Sequence, residues 1–293
     1  MPRPDGASYS ILAYPYSRLK PLLLSADNLR VHGRSPGSAL VWSMGRARID
    51  PAQARLLRTR PGGLALLAVL PSDTDVMADP QASLELRDLR PQGILPFHTP
   101  PGASDCAQVL RRPPVDLAAD VIDYLRWRGL GIDRDTSHLI RRILDLSGEL
   151  RSIASVSRSL YVSRRALGRR LTLQGLPVPS HWLQVGRLLR VATRLQNSDA
   201  TVASVAFEHG YPDGFSLSNQ MERLVGHRPT EVRRRLGWEW LVEAWLKREA
   251  LAGRLCCVRP SAIERAQEPG SVPSTRSLMA RGPDTGPRTS AEA

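Results

Sequence analysis

The most constraining feature of the sequence is a pattern of two short amphipathic segments joined by a tight turn, and this pattern occurs twice. The first copy covers residues 153–171 and the second covers 202–224. In both copies apolar residues recur three or four positions apart, which is the spacing of one face of a helix. The sequence therefore predicts two helix-turn-helix units within a helical domain.

In the first copy, Ser163 is the predicted N-cap of the second helix, and Leu167 and Leu171 form its inner face. The outward positions are then mostly arginine, at Arg164, Arg165 and Arg169. An arginine face that begins at a capped helix N-terminus suits the major groove of DNA, although a solvated helix can carry the same face.

In the second copy, Gly210 is the predicted left-handed turn residue and Asp213 the N-cap of the second helix. Apolar Leu217, Met221 and Leu224 face inward, which leaves Phe215, Ser218 and Asn219 as the candidate base contacts. An outward Phe215 can meet a thymine methyl group or pack on a neighbouring helix, and the sequence leaves both open.

The positive charge of the chain is concentrated in the same region. The whole sequence has 41 basic and 28 acidic side chains, whereas residues 150–236 have 14 and 5. Such a concentration is typical of a domain that binds a polyanion. Only Lys20 and Lys247 are lysines, so nearly all of the positive charge comes from arginine. Phosphate binding and a GC-rich codon bias explain this preference for arginine equally well. The codon bias does not explain why the arginines cluster in residues 150–236.

The N-terminal region alternates apolar runs with helix-like stretches. The predicted strands are Leu22–Leu24, Ala39–Met44, Leu64–Leu70 and Ile94–Phe97, and the predicted helices are Pro51–Arg60 and Pro80–Arg90, capped by Asp50 and Asp79. This rhythm is that of right-handed crossovers, so we expect residues 1–112 to form a small α/β domain with a parallel sheet, similar to a response-regulator receiver.

The phosphotransfer chemistry of a receiver is missing from this region. The run Leu64–Leu70 contains no aspartate, Asp73 comes late, and no lysine lies between Lys20 and Lys247. We therefore expect a degenerate receiver-like module for signal input or interaction. His32, His98 and His138 have no nucleophile or metal-ligand partner at a recognisable spacing.

The remaining segments are predicted from periodicity and composition. Residues 113–149 are expected to be a helical connector, 150–236 the DNA-binding domain, and 237–258 a packing helix, centred on Trp238–Leu251. Within the DNA-binding domain, Pro179–Gln196 is one long helix that fixes the spacing of the two units. Residues 259–293 lack periodicity and are expected to be disordered.

The basic domain resembles the DNA-binding domain of AraC/XylS-type bacterial regulators. The matching positions are the first unit with its arginine-faced helix, Gly175, Arg187-Leu188, the run from Val205 to Asp213, and the closing Gly226-His227-Arg228-Pro229 with Arg233. The resemblance implies a seven-helix domain whose two recognition helices enter successive major grooves about 34 Å apart. By position, Arg165 and Arg169 would then contact bases.

Two residues depart from the family pattern. Gly168 stands where a longer side chain is common, which removes a contact, and Tyr161 replaces the turn glycine of the first unit.

Phosphate contacts are expected from Ser163, Arg187, Arg190, Arg223 and Arg228, each of which is equally compatible with a solvated side chain. The family usually couples this domain to a separate input or dimerisation domain.

Several classes of protein are disfavoured. Cys106, Cys256 and Cys257 make no metal-binding or disulfide pattern, no secretory or membrane-spanning segment is recognisable, and no catalytic or phosphate-binding motif occurs. We expect a cytoplasmic transcription regulator without cofactor, metal or catalytic residues. Its expected partner is double-stranded promoter DNA, and RNA polymerase and a second protomer, bound through the N-terminal domain, are candidates.

Two alternatives stay open. One is an enzyme or sensor that the basic domain tethers to DNA, and the other is a nucleic-acid-binding protein indifferent to sequence.

Overall fold

A computed structural model describes residues 7–45, 49–71, 80–97 and 101–256. The expectations for the tail 259–293, the cap Asp79 and His98 lie outside these residues. Among the described helices, none is both long and apolar enough to cross a membrane.

The N-terminal region is built on one five-stranded sheet. Its strands are β1 (Ser8–Leu12), β2 (Lys20–Pro21), β3 (Ala39–Ser43), β4 (Ala65–Pro71) and β5 (Gly93–Phe97), in the order β2-β1-β3-β4-β5. The strands β3, β4 and β5 are parallel, with Leu40 opposite Leu66 and Ala68 opposite Ile94. The predicted small α/β domain is therefore confirmed.

The sheet is mixed, which differs from the parallel sheet that we expected. Strand β1 runs antiparallel to both β2 and β3. The strand order matches the 2-1-3-4-5 order of flavodoxin-like and receiver folds, but the direction of β1 does not, because β1 runs opposite to the other four strands. The predicted strand Leu22–Leu24 is wrong: Leu23 is 81% exposed, and the segment leads into Ser25, the N-cap of the next helix.

Four helices flank the sheet. They are α1 (Ala26–Gly33), α2 (Pro51–Arg58), α3 (Pro80–Leu89) and α4 (Ala103–Arg111). Helix α2 begins as predicted, with Pro51 in its first turn and the Asp50 carboxylate accepting a hydrogen bond from the Gln53 amide. Strands β3 and β4 are apolar and buried on both faces, which is the condition for parallel strands covered by helices.

The described residues of the C-terminal region form helices and connecting turns, without a strand. Its helices are α5 (Leu117–Trp127), α6 (Arg134–Leu146), α7 (Ile153–Ser159), α8 (Arg164–Leu173), α9 (Pro179–Gln196), α10 (Val202–Glu208), α11 (Gly214–Val225), α12 (Pro229–Arg234) and α13 (Glu239–Leu251). One hydrophobic core runs through all of them. The predicted connector helices α5 and α6 therefore belong to the same core as the helix-turn-helix units, and α13 packs on it.

The two regions meet at a polar and aromatic junction. The Arg60 guanidinium is fully buried, donates to the carbonyls of Leu57, Leu64, Leu89 and Arg90, and lies 4.4 Å from the ring centroid of Trp127. Arg90 pairs with the buried Glu239 at the start of α13. Arg60 and Arg90 belong to the α/β region, whereas their partners Trp127 and Glu239 belong to the helical region. These contacts therefore join the two regions directly.

Candidate nucleic-acid interface

The first helix-turn-helix unit consists of α7 and α8, each with a side-chain N-cap. Ser152 Oγ accepts a hydrogen bond from the Ser155 amide, and Ser163 Oγ accepts one from the Ala166 amide, both at 3.1 Å. On α8, Leu167 is fully buried, as predicted. The capped N-terminal turn of α8 is thus exposed at the surface while its apolar face is fixed in the core.

The second unit, α10 and α11, is built in the same way. Thr201 caps α10 through the Ser204 amide at 3.1 Å, and the Asp213 carboxylate caps α11 through the Ser216 amide at 2.6 Å. This hydrogen bond holds the pKa of Asp213 below its usual range. Leu217 and Met221 are fully buried, so the side of α11 that faces the core is the predicted one.

The turns of the two units share one backbone feature. Gly210 has φ +70° in the second turn, and Tyr161 has φ +54° in the first. Tyr161, which stands in place of a glycine, therefore keeps the left-handed conformation. The Tyr161 side chain is 97% exposed. In the second turn, Arg151 Nη1 donates to the His209 carbonyl at 2.7 Å, which ties the entrance of the first unit to the turn of the second.

Helix α9 packs against helices of both units. It is the longest described helix, with 18 residues, and most of its apolar side chains are buried. At its C-terminal end, Arg194 forms a bidentate ion pair with Glu208 of α10, at 2.9 and 3.2 Å. The two units therefore pack on one buried helix.

The predicted base contacts fall into two groups, one on α8 and one on α11, and those on α8 are exposed. Arg164, Arg165 and Arg169 are exposed, and none of them forms an ion pair with a described residue. An added Cβ on Gly168 would meet nothing within 4 Å, so the middle of this face is open. The arginine face of α8 is therefore available to a ligand.

The outward face of α11 is only partly available. Phe215 is 74% exposed and Asn219 is exposed, so Phe215 does not pack within the described part of the chain. The Ser218 hydroxyl, in contrast, is half-buried and donates to the Gly214 carbonyl at 2.7 Å. This face offers one aromatic ring and one amide, without charge.

The predicted phosphate contacts fall into two groups. Arg187 and Arg190 are half-buried: Arg187 donates to the Leu150 carbonyl at 3.3 Å, and Arg190 donates to the carbonyls of Leu144 and Asp145 at 3.2 and 3.3 Å. Burial lowers the pKa of Arg187. In the structure these two guanidinium groups hold the C-terminal end of α6 and the following loop against α9.

The other three predicted phosphate contacts are exposed. Arg223 is 3.5 Å from Gln184 Oε1, and Arg228 is 3.4 Å from Glu222 Oε2, both weak surface contacts. Ser163 is exposed, and its oxygen accepts the capping bond of α8. These groups can reach a phosphate without breaking a buried contact.

The structure adds two exposed residues that the sequence pattern did not single out. Arg158 lies at the C-terminal end of α7, and Phe207 at the same place in α10, where it is 64% exposed. Their common position near the end of the first helix of each unit is the sequence signal that would have identified them. Arg170, in contrast, faces α6 and pairs with Asp135 at 3.0 Å.

Comparison with known proteins supports this description of the helical region. A family model described as a helix-turn-helix domain matches residues 156–235, from α7 to the end of α12. The HTH-type transcriptional activator RhaS of Escherichia fergusonii is 30% identical over 101 residues, which are 34% of this chain. The match covers 36% of the length of that relative.

Proposed function

We propose, from the premise that residues 156–235 form a helix-turn-helix domain of the AraC/XylS type, that the chain is a sequence-specific regulator of transcription. The observation that carries the proposal is the repetition of one unit: two capped, exposed helices, α8 and α11, in units that both pack on the buried helix α9. Two such helices fit successive major grooves on one face of a duplex.

The two helices have unequal roles in this proposal. Arg164, Arg165 and Arg169 supply hydrogen bonds to base edges, because a guanidinium donates bidentately to guanine. Phe215 and Asn219 contribute a methyl contact and an amide contact, and Ser218 contributes less because its hydroxyl is already bonded. Most sequence discrimination therefore comes from α8.

Phosphate contacts are assigned to the exposed groups. Arg223, Arg228 and Ser163 position the domain on the backbone, whereas Arg187 and Arg190 act by holding α6 and α9 together. Phosphate contacts fix register and affinity but carry no sequence information.

The α/β region is proposed to control this domain through α13. The start of α13 pairs with Arg90 of the α/β region, and its Arg248 donates to the Arg223 carbonyl of α11 at 3.4 Å. A movement of the α/β region relative to the helical region thus acts on α11 through the single helix α13. RNA polymerase and a second protomer are the further partners that we propose, and we assign the chain no catalytic reaction.

Selection of bound duplexes from a random library by the full chain, at about 0.15 M salt, tests the proposal. We expect an enriched site with two blocks of preferred bases about 10 base pairs apart. Enrichment without a motif would show a protein that binds DNA indifferently to sequence and would overturn the proposal. The double variant R165A/R169A is the matched control, and it should lose the block that α8 reads.

A further inference from the structure

The polar side chains at the start of the second reading helix, α11, are bonded within the helix itself. The Asp213 carboxylate accepts hydrogen bonds from the Ser216 amide, at 2.6 Å, and from the Ser216 hydroxyl. One turn later, the Ser218 hydroxyl donates to the Gly214 carbonyl at 2.7 Å. The two hydroxyl protons are thus used inside the helix, and neither is free to donate to a base.

Phe215 is the outward group at this end of α11. It is the second residue of the helix, and its side chain is 74% exposed. At 100° per residue it lies on the side of the helix opposite the buried Leu217 and Met221. Asn219, one turn further, lies on the same face and is exposed. This helix therefore presents an apolar ring where α8 presents arginine.

The major groove of DNA offers one kind of apolar group to such a ring. That group is the methyl on C5 of thymine, since the other groups on the base edges are hydrogen-bond donors and acceptors. 5-Methylcytosine carries the same methyl on the same ring carbon. The two bases differ at the neighbouring C4 substituent, where a phenyl ring neither donates nor accepts a hydrogen bond. A phenyl ring here therefore contacts the methyl group in the same way on either base.

We propose that Phe215 makes α11 a reader of 5-methylpyrimidines, which prefers thymine over uracil and 5-methylcytosine over cytosine. The inference rests on the function proposed above, since it requires α11 to lie in a major groove. Cytosine methylation in the block of the site that α11 contacts then raises the affinity of the protein for that site. DNA methylation becomes an input to the regulator that acts directly at the second reading helix.

Duplexes that differ only in methyl groups test the proposal with the full chain. In the α11 block of the selected site, uracil in place of thymine should weaken binding about fourfold at one or two positions, as expected when one methyl-sized group leaves an apolar contact. Where cytosine occupies such a position, 5-methylcytosine should strengthen binding by a similar factor. The same replacements in the α8 block should leave binding unchanged.

The variant F215A locates the effect in one side chain, and F207A is its matched control. Both rings are exposed, so neither substitution removes a buried contact. F215A should bind the thymine and uracil duplexes equally while it keeps the base preferences of the α8 block. F207A, at the end of α10, should keep the wild-type ratio between the two duplexes.

Equal binding of thymine and uracil duplexes by the wild type, or an unchanged ratio in F215A, would overturn the inference. A selected motif without a methyl effect overturns this inference alone, whereas binding without any motif overturns the function proposed above. In that second case an alternating dA-dT duplex and its dU counterpart replace the selected site. The wild type should bind the dA-dT duplex more tightly, and F215A should not distinguish the two.

Discussion

At the scale of single residues, the turns of the two helix-turn-helix units show that two different residue types adopt the same left-handed backbone conformation. Gly210 and Tyr161 both have positive φ, and only Gly210 lies under another side chain. A Cβ on Gly210 would lie 0.7 Å from Arg151 Nη1, which donates to the adjacent His209 carbonyl. The glycine is required by both its conformation and its neighbour.

We expect G210A to lower the free energy of unfolding by at least about 1 kcal/mol, because the left-handed strain adds to the displacement of Arg151. Y161G is the matched comparison in the first turn: its ring is exposed, and glycine removes the strain there. Urea unfolding of both variants should show a loss for G210A and none for Y161G. A loss for Y161G equal to that for G210A would contradict this account, because the exposed Tyr161 side chain would then stabilise the first turn.

At the scale of secondary-structure elements, the C-terminal end of α13 is held by one buried carboxylate. Glu249 is 2% exposed and accepts hydrogen bonds from His181 of α9, at 2.9 Å, and from Arg254, at 2.8 Å. Burial raises the pKa of Glu249, but these two partners outweigh it and leave the pKa below its ordinary value. After Arg254 the chain returns to the turn that follows α8, where the Cys256 amide donates to the Gly175 carbonyl.

This pairing predicts a pH dependence of stability. Because the folded pKa of Glu249 is depressed, its contribution is complete above the unfolded value of about 4.3 and is lost as the pH falls through the folded pKa. Urea unfolding between about pH 6 and 3 should show a smaller decline for E249Q than for the wild type. Parallel curves for the two proteins would contradict the role given to Glu249.

The elements differ in how far the sequence determines them. The strands β3 and β4 follow from continuous apolar runs, and α8 and α11 follow from their caps and from leucine spacing. Strand β1, SYSIL, does not, since five residues with one short alternation become a strand only by pairing with β2 and β3. The positions of Arg187 and Arg190 are likewise set by tertiary contacts, which periodicity does not reveal.

At the scale of the whole molecule, the α/β region and the helical region are held together by buried charge and by one apolar contribution, since Leu236 packs in a core cluster of the α/β region. Arg90 is 17% exposed and its partner Glu239 only 2%. Nearby, Glu243 is bonded to the Tyr124 hydroxyl and to Arg128, and a Cβ on Gly62 would lie 2.3 Å from its Oε2. The junction is therefore both tight and polar.

Removal of one partner of the buried pair should be costly. We expect R90M to reduce the free energy of unfolding by about 3–5 kcal/mol, because it leaves Glu239 charged and unpaired. The double variant R90M/E239M should recover most of that loss. Unfolding monitored by tryptophan fluorescence gives both values, and strictly additive losses would show that the two side chains do not interact.

The central claim is that the two recognition helices read DNA unequally, with α8 as the main source of specificity. The most direct measurement is an affinity scan of the selected site, in which each base pair is changed in turn, for the wild type, R165A and R223A. For R165A we predict loss of preference, worth about 1–3 kcal/mol, at one position in one block. For R223A we predict a uniform loss at every position and a shallower salt dependence. Equal, position-independent losses in both variants would contradict the account.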